Sequence, residues 1–274
     1  MIHSRINILS LAEYGKIEEW DHFVHKQKHG WITSLSSWAG VLEKSFTHIK
    51  NKSIVIIGNG ANKIIGLLPL YLVDSPVTGR RLVSTPFATL GNPLFSDEIG
   101  IGAIMPYLEK SLQAYRASYI EIRVSSPGLS NILANHFTID NIFKCHYLDL
   151  LRPLEDIYSC LHRSYIRRYV NRAKDAGVLF RIADTMADIK SFFYLYSITR
   201  KRLLLPAIPL SFFTSIWEAY MQQKNAVFLI AEKSGKPAAA LMLLAYGNRV
   251  SAEALGWDLQ FTKDHVVAGL YWEA

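Results

Sequence analysis

The sequence predicts an α+β fold: mixed, mostly antiparallel sheets flanked by helices. Three observations carry this. The second half reads strand, two helices, three antiparallel strands, helix. The first half interleaves strand-like runs with amphipathic helices, and 274 residues at 50% hydrophobic and 19% charged content suffice for one large domain or two of ordinary size.

In chain order, Trp20, Phe23 and Val24 share one face of a helix over Ile17 to Lys28, and Trp38, Val41 and Leu42 mark another over Ser36 to Ser45. Ser53 to Ile57, a turn at Gly58-Asn59-Gly60 and Lys63 to Val73 read as a β-hairpin. Arg81 to Ser84 adds a short strand, Gly102 to Ala117 a helix and Tyr119 to Val124 a strand. His146 to Leu150 is strand-like, and Arg152-Pro153 breaks it.

Leu161 to Gly177 is the most strongly patterned stretch. At 100° per residue, a single helix places Tyr165, Ile166, Tyr169, Val170, Ala173 and Ala176 on one arc and Arg163, Arg167 and Lys174 on another. Arg168 and Arg172 form a second basic edge. Asp175, the one carboxylate nearby, projects away from the stripe, so ion pairs within the helix do not account for it. A planar guanidinium suits phosphate or carboxylate, which points to an anionic ligand or a solvated basic face. Gly177 can stop the helix in a left-handed conformation before a strand at Val178 to Ile182.

Met186 to Arg202 is an aromatic-rich helix, and Pro209 starts another. Strands follow at Ala226 to Glu232, Ala238 to Tyr246 and Arg249 to Leu255. Asp264 is placed to cap a last helix, inside which the sequence ends; the pattern calls for a further strand beyond it, so the chain reads as shortened.

The formal net charge of +7 and pI near 9.3 favour anionic partners. Cys145 and Cys160 form no CxxC pair, which argues against a disulfide framework or thiolate zinc site and for a reducing cytoplasm. No apolar run reaches the ~20 residues that span a bilayer. HExxH, GxxxxGK[ST] and GxSxG motifs are absent from the sequence. His22, His25 and His29 share one helical side, but no Asp, Glu or Cys is arranged with them, and no metal is expected.

Trp38 with Ser45-Phe46-Thr47-His48, Gly66-Leu67-Leu68-Pro69-Leu70, Leu82 to Phe87 with Gly91-Asn92, and Glu121-Ile122-Arg123 form an ordered series. It continues with Arg163, Ile166-Arg167-Arg168, Ala173-Lys174, Gly177, Phe193-Tyr194, Tyr196, Arg200, Pro206 and Leu270 to Ala274. With these residues the chain resembles the FemAB-like branch of the GNAT acyltransferase superfamily, especially proteins linked to exopolysaccharide and exosortase gene clusters. The resemblance implies two GNAT-like modules, residues 1–150 and 151–274, the second lacking its last strand. It implies transfer of an activated acyl or aminoacyl group, from acyl-CoA or aminoacyl-tRNA, to an amine of an anionic polysaccharide or peptidoglycan precursor. A catalytically idle GNAT-like module that binds such precursors, RNA or a protein is the alternative.

By position in that fold, Arg249 to Leu255 is the strand that supplies a backbone donor, and Gly256 to Asp264 the loop that meets the donor's pyrophosphate. The loop reads GWDLQFTKD, without the Gln/Arg-x-x-Gly-x-Gly/Ala pattern of CoA-dependent members. Glu253 and His265 are the candidate catalytic acid–base residues, with a solvated strand carboxylate and a helix cap as their structural alternatives. Arg163, Arg167, Arg168, Lys174 and Arg200 are the candidate substrate-binding residues, expected in a cleft between modules; an edge salt bridge is the alternative for Arg200.

Overall fold

The computed structural model describes residues 6–58, 63–89, 91–96, 101–125, 127–140 and 144–274. The chain divides into two compact units, Met1–Asp140 and Asn141–Ala274.

The first unit runs β1 (Ile6–Ser10), α1 (Leu11–Tyr14), α2 (Ile17–Lys26), α3 (Ser36–Ser45), β2 (Ile49–Asn51), β3 (Ile54–Gly58), β4 (Ile64–Leu68), β5 (Tyr71–Ser75) and β6 (Gly79–Val83). It continues with β7 (Leu94–Phe95), α4 (Met105–Tyr115), β8 (Ile120–Glu121) and α5 (Pro127–Leu133). Among the described residues its strands form two four-stranded sheets, ordered β1-β3-β4-β7 and β2-β5-β6-β8. Among the described residues only the β6–β8 pair is parallel.

Local chemistry sets these elements. Ser10 and Glu13 close a capping box on α1. Buried Trp20 donates its indole N–H to the Ser34 carbonyl at 2.7 Å, and Asp21 accepts from the Ser36 amide and hydroxyl at 2.8 and 2.7 Å, which ties α2 to the start of α3.

The hairpin expected from Ser53 onward forms as β3–β4; its turn residues Asn59-Gly60 lie outside the described residues. The expected long strand over residues 63–73 is two strands in different sheets. Pro69 has no N–H to give a ladder. At the crossing, the Leu70 amide donates to Ser53 Oγ at 3.1 Å, and the Lys52 amide donates to the Leu70 carbonyl at 2.7 Å.

The second unit runs α6 (Leu154–Cys160), a five-residue π-helical turn (Arg163–Arg167), α7 (Arg168–Asp175), β9 (Leu179–Ile182), α8 (Met186–Arg202) and α9 (Leu210–Tyr220). β10 (Ala226–Lys233), β11 (Lys236–Tyr246), β12 (Arg249–Trp257) and α10 (Val266–Glu273) follow. The sheet is antiparallel throughout, in the order β12-β11-β10-β9.

Its two faces bury different partners. Ala239, Leu241 and Leu243 pack with Ala173 of α7 and Val266 and Leu270 of α10. Phe228, on the opposite side, meets Phe192 of α8 edge-on at 5.0 Å, and Phe192 meets Phe213 of α9 at 5.0 Å. The aromatic helices are core, with a capping box of Thr185 and Asp188 at the start of α8.

Three expectations are corrected here. Residues 146–150 form no strand. The helix expected over Leu161 to Gly177 runs from Arg163 to Asp175, but it opens with a five-residue π turn and is separated from α6 by a break at the extended Leu161. Arg167 enforces the break by donating its Nε to the Leu161 carbonyl at 2.9 Å and its Nη2 to the Ser159 carbonyl. The phase of the apolar arc changes across the turn, so Tyr165 is 58% exposed while Val170 and Ala173 are buried. The last helix is not capped by Asp264; His265 precedes it with φ +51°, and Asp258 instead caps a 3-10 helix over Leu259–Asp264.

Candidate functional site

The end of β12 and the start of α10 organise the chemistry of the second unit. β12 carries an irregularity: Met242 pairs with Ala254 and Leu243 with Ala252, so Glu253 is the extra, bulged residue. Beyond it, Gly256 lies against the backbone of α8. A Cβ there would sit 2.6 Å from Tyr196 Cα and closer still to Tyr196 N and Leu195 C. Buried Thr199 locks the contact, its hydroxyl accepting from the Trp257 amide at 2.9 Å and donating to the Trp257 carbonyl at 3.2 Å. The Arg202 guanidinium stacks 4.1 Å from the Trp257 ring.

Trp257 forms part of the wall of a cavity of about 1020 Å³. Leu148, Leu150, Leu154, Ile157 and Ile166 line one side, and His265, Val267, Ala268, Tyr271 and Trp272 the other. Its ionisable lining, tyrosines aside, is Arg152, His265 and Glu273. The imidazole of His265 stacks on Tyr169 with centroids 4.0 Å apart and an interplanar angle of 9°. Burial, and then the charges of Arg172 and Arg168, hold its pKa below the ordinary histidine value.

Of the expected site residues, His265 lines the cavity and Arg168 is close enough to act on it electrostatically. Arg163 and Lys174 are exposed and do not line it. Arg167 is committed to the carbonyls at the end of α6 and lies 5.5 Å from the Tyr158 ring. Arg200 donates its Nε to the Pro206 carbonyl at 3.0 Å and rests over Tyr196, so it shapes the loop after α8. Glu253 is on the bulge, half-buried, outside the cavity lining. Arg172, Tyr169, Trp257 and Arg152 are not among the site residues expected from the sequence. Arg172 had a signal, its place four residues after Arg168 on the second basic edge.

The loop from Asp258 is wound shut. The Gln260 amide donates to Asp258 Oδ1 at 3.0 Å, Phe261 N to the Asp258 carbonyl at 3.2 Å and His265 N to the Thr262 carbonyl at 3.2 Å. Those amides are satisfied internally and do not form an open anion cradle. Among the described residues, no three His, Cys, Asp or Glu side chains are grouped to hold a metal ion, and no helix is long and apolar enough to cross a membrane.

Strand β9, helices α8 and α9, the β10–β12 meander with its bulge, and α10 have the arrangement of the GNAT fold. Residues 161–274 match the family described as acetyltransferase (GNAT) domain. The chain as a whole has the fold of tandem, Fem-type GNAT proteins. It superposes on the crystal structure of FemX with a TM-score of 0.67 and 13% identity, covering 94% of this chain and 83% of that one. A tandem GNAT protein from the clavulanic acid biosynthesis pathway gives a TM-score of 0.58 at 12% identity, covering 98% and 84%. A conserved protein of unknown function from Bacteroides thetaiotaomicron gives 0.59 at 13%, covering 98% and 85%. No curated protein matches the sequence.

Proposed function

We propose that the protein is an N-acyltransferase that moves an activated acyl or aminoacyl group onto the amine of a cell-envelope or exopolysaccharide precursor, with His265 as the general base. The observation that carries the reading is the His265 imidazole before α10, stacked on Tyr169 and lining a cavity of about 1020 Å³ within the residues that match a GNAT domain. In the reaction, His265 takes the proton from the acceptor ammonium, and the free amine attacks the donor carbonyl. His265 releases that first proton to solvent; the new C–N bond then forms as the bond to the leaving group breaks, and the second proton of the attacking nitrogen passes through the imidazole to the leaving group. Arg168 and Arg172 favour the neutral base and attract an anionic substrate to its rim.

The closed Asp258–His265 loop favours a donor other than acyl-CoA, and aminoacyl-tRNA suits both the net charge of +7 and the Fem-type fold. Glu253, on the β12 bulge, is the second candidate base; Arg163, Lys174 and Arg200 remain candidate contacts for the acceptor or the tRNA backbone. The cytoplasm, where both donors occur, is the proposed compartment.

Labelled aminoacyl-tRNA and acyl-CoA, each offered with amine-bearing peptidoglycan and polysaccharide precursors, test the reading. Transfer should be seen with at least one donor, and His265→Ala should lower kcat by about 10²–10⁴-fold. If Glu253→Gln lowers kcat that far and His265→Ala does not, the roles are reversed. Ligand binding without turnover for every donor would establish the alternative, a non-catalytic envelope-assembly module.

A further inference from the structure

The Asp258–His265 loop borders two spaces that share no lining residue. Thr262 and His265 line the cavity, whereas Asp258 and Gln260 line a second pocket of about 460 Å³ with Lys190, Ser191 and Tyr194 of α8 and Lys236 of β11. Rigid elements build this pocket. Lys190, Ser191 and Tyr194 stand at i, i+1 and i+4, on the side of α8 opposite buried Phe192, Tyr196 and Thr199, and Tyr194 is 59% exposed. Lys236 follows the two-residue turn of Ser234 and Gly235, whose φ angles of +52° and +73° suit a tight hairpin. The Asp258 amide donates to the Ala238 carbonyl at 2.9 Å, and Thr199 grips the preceding Trp257.

The charges of the pocket are left open. Among the described residues Lys190, Lys236 and Asp258 make no ion pair, although both signs of charge line one space. Asp258 Oδ1 accepts from the Gln260 amide at 3.0 Å, and its second oxygen accepts no hydrogen bond among the described residues. Nearby Arg181, by contrast, is satisfied by Asp188 at 2.6 Å and Glu232 at 2.8 Å. The volume falls within the roughly 300–1,000 Å³ of small-molecule sites. Two ammonium groups suit a phosphoryl dianion, an open phenol ring suits the face of a base, and a carboxylate with a free oxygen suits a ribose diol. One class of molecule presents all three.

We propose that this pocket binds a nucleoside 5′-phosphate group, its phosphate at Lys190 and Lys236, its base on Tyr194 and its ribose hydroxyls at Asp258 and Gln260. The site is independent of whether acyl transfer occurs. A free nucleotide and a nucleotide-linked sugar share the recognised chemistry.

Titration of the isotope-labelled full chain with AMP, read by amide NMR, tests the proposal. Saturable shifts are expected at residues 190–194, 236 and 258–260, with AMP binding about tenfold more tightly than adenosine. The double variant Lys190→Ala plus Lys236→Ala should bring AMP down to the adenosine affinity. Tyr194→Leu should weaken AMP about tenfold while leaving ribose 5-phosphate unchanged. Asp258→Asn, which keeps an oxygen for the Gln260 amide, should erase the preference for AMP over its 2′,3′-dideoxy analogue. Circular dichroism checks each fold, and should a variant misfold, the ligand series on the unaltered protein still decides the matter. Parallel arms with UMP and UDP-glucose separate a free nucleotide from a nucleotide-linked sugar as the source. Lack of saturable binding below about 1 mM, equal affinity for AMP and adenosine, or shifts confined to Trp257 and His265 of the cavity overturns the proposal.

Discussion

Replacing Gly256 by alanine probes the junction that holds Trp257 in the cavity wall. The added Cβ would stand 2.6 Å from Tyr196 Cα, and an ordinary contact begins at 3.4 Å, so α8 must retreat by at least 0.8 Å, the difference of the two. The obstructing atoms are backbone, and no rotamer change relieves them. Such overpacking costs about 1–3 kcal/mol. A shift of that size also stretches both hydrogen bonds between Thr199 and Trp257, now 2.9 and 3.2 Å. Each is worth about 0.5–1.5 kcal/mol, which brings the expected loss to about 4 kcal/mol. Urea unfolding gives the total, and amide hydrogen exchange of residues 249–257 localises it. The control is Gly247→Ala: that position has open space around it and φ +59°, so it should lose only about 1–2 kcal/mol. A Gly256→Ala protein within about 1 kcal/mol of the parent, with unchanged exchange at Trp257, would refute the close-approach argument.

Asp188 accepts from Arg181 at 2.6 Å, from Thr185 Oγ1 at 2.8 Å and from the Asp184 and Thr185 amides, and Arg181 foremost holds its carboxyl well below the usual range. Asp188→Ala should cost about 2 kcal/mol, the value of a cap and a partly exposed ion pair. Because the folded pKa is depressed, the stabilisation is complete above the unfolded value near 4 and is lost as pH falls; Asp188→Asn should flatten the urea midpoint against pH in that acid range. His265 also has a depressed folded pKa, but as a base: the unfolded chain takes up the proton first, so stability should fall as pH drops below about 6.5. Its NMR titration should move upward in Arg172→Ala, and a downward or absent shift contradicts the electrostatic assignment. Gly40, exposed inside α3 with open space around it, should accept alanine with a gain of about 1 kcal/mol, seen as a higher thermal midpoint.

The second unit was legible where the code is local. Period, capping residues and turn glycines marked α8, α9 and the three-strand meander, because each depends on neighbours within a few residues. The same reasoning placed a helix within Leu161 to Gly177 but failed at its opening π turn, where Arg167 reaches back to the Ser159 and Leu161 carbonyls; helical spacing cannot reveal a side chain bonded to the preceding turn. It failed again at residues 63–73, where apolar continuity concealed the change of sheet at Pro69. The site was half legible. His265 drew notice through its place beside the expected pyrophosphate loop, but Tyr169 had been counted as packing, and nothing in GWDLQFTKD shows that the loop's amides are already satisfied. The apolar lining is drawn from α6, α10 and residues 148–150, a grouping that exists only after folding.

The strand orders carry a consequence for synthesis on the ribosome. In the first unit β1 pairs with β3, β4 with β7 and β6 with β8, so one sheet is complete only when Phe95 has left the exit tunnel and the other only when Glu121 has. The second unit differs: β10, β11 and β12 are successive hairpin partners that can form as they emerge, and β9 waits for β10. At about 5–20 residues per second, the N-terminal unit keeps unpaired strand edges for several seconds before its own closing strand arrives. Slow codons after residue 121 would therefore protect the first unit, whereas slow codons between β3 and β8 would prolong its most aggregation-prone interval.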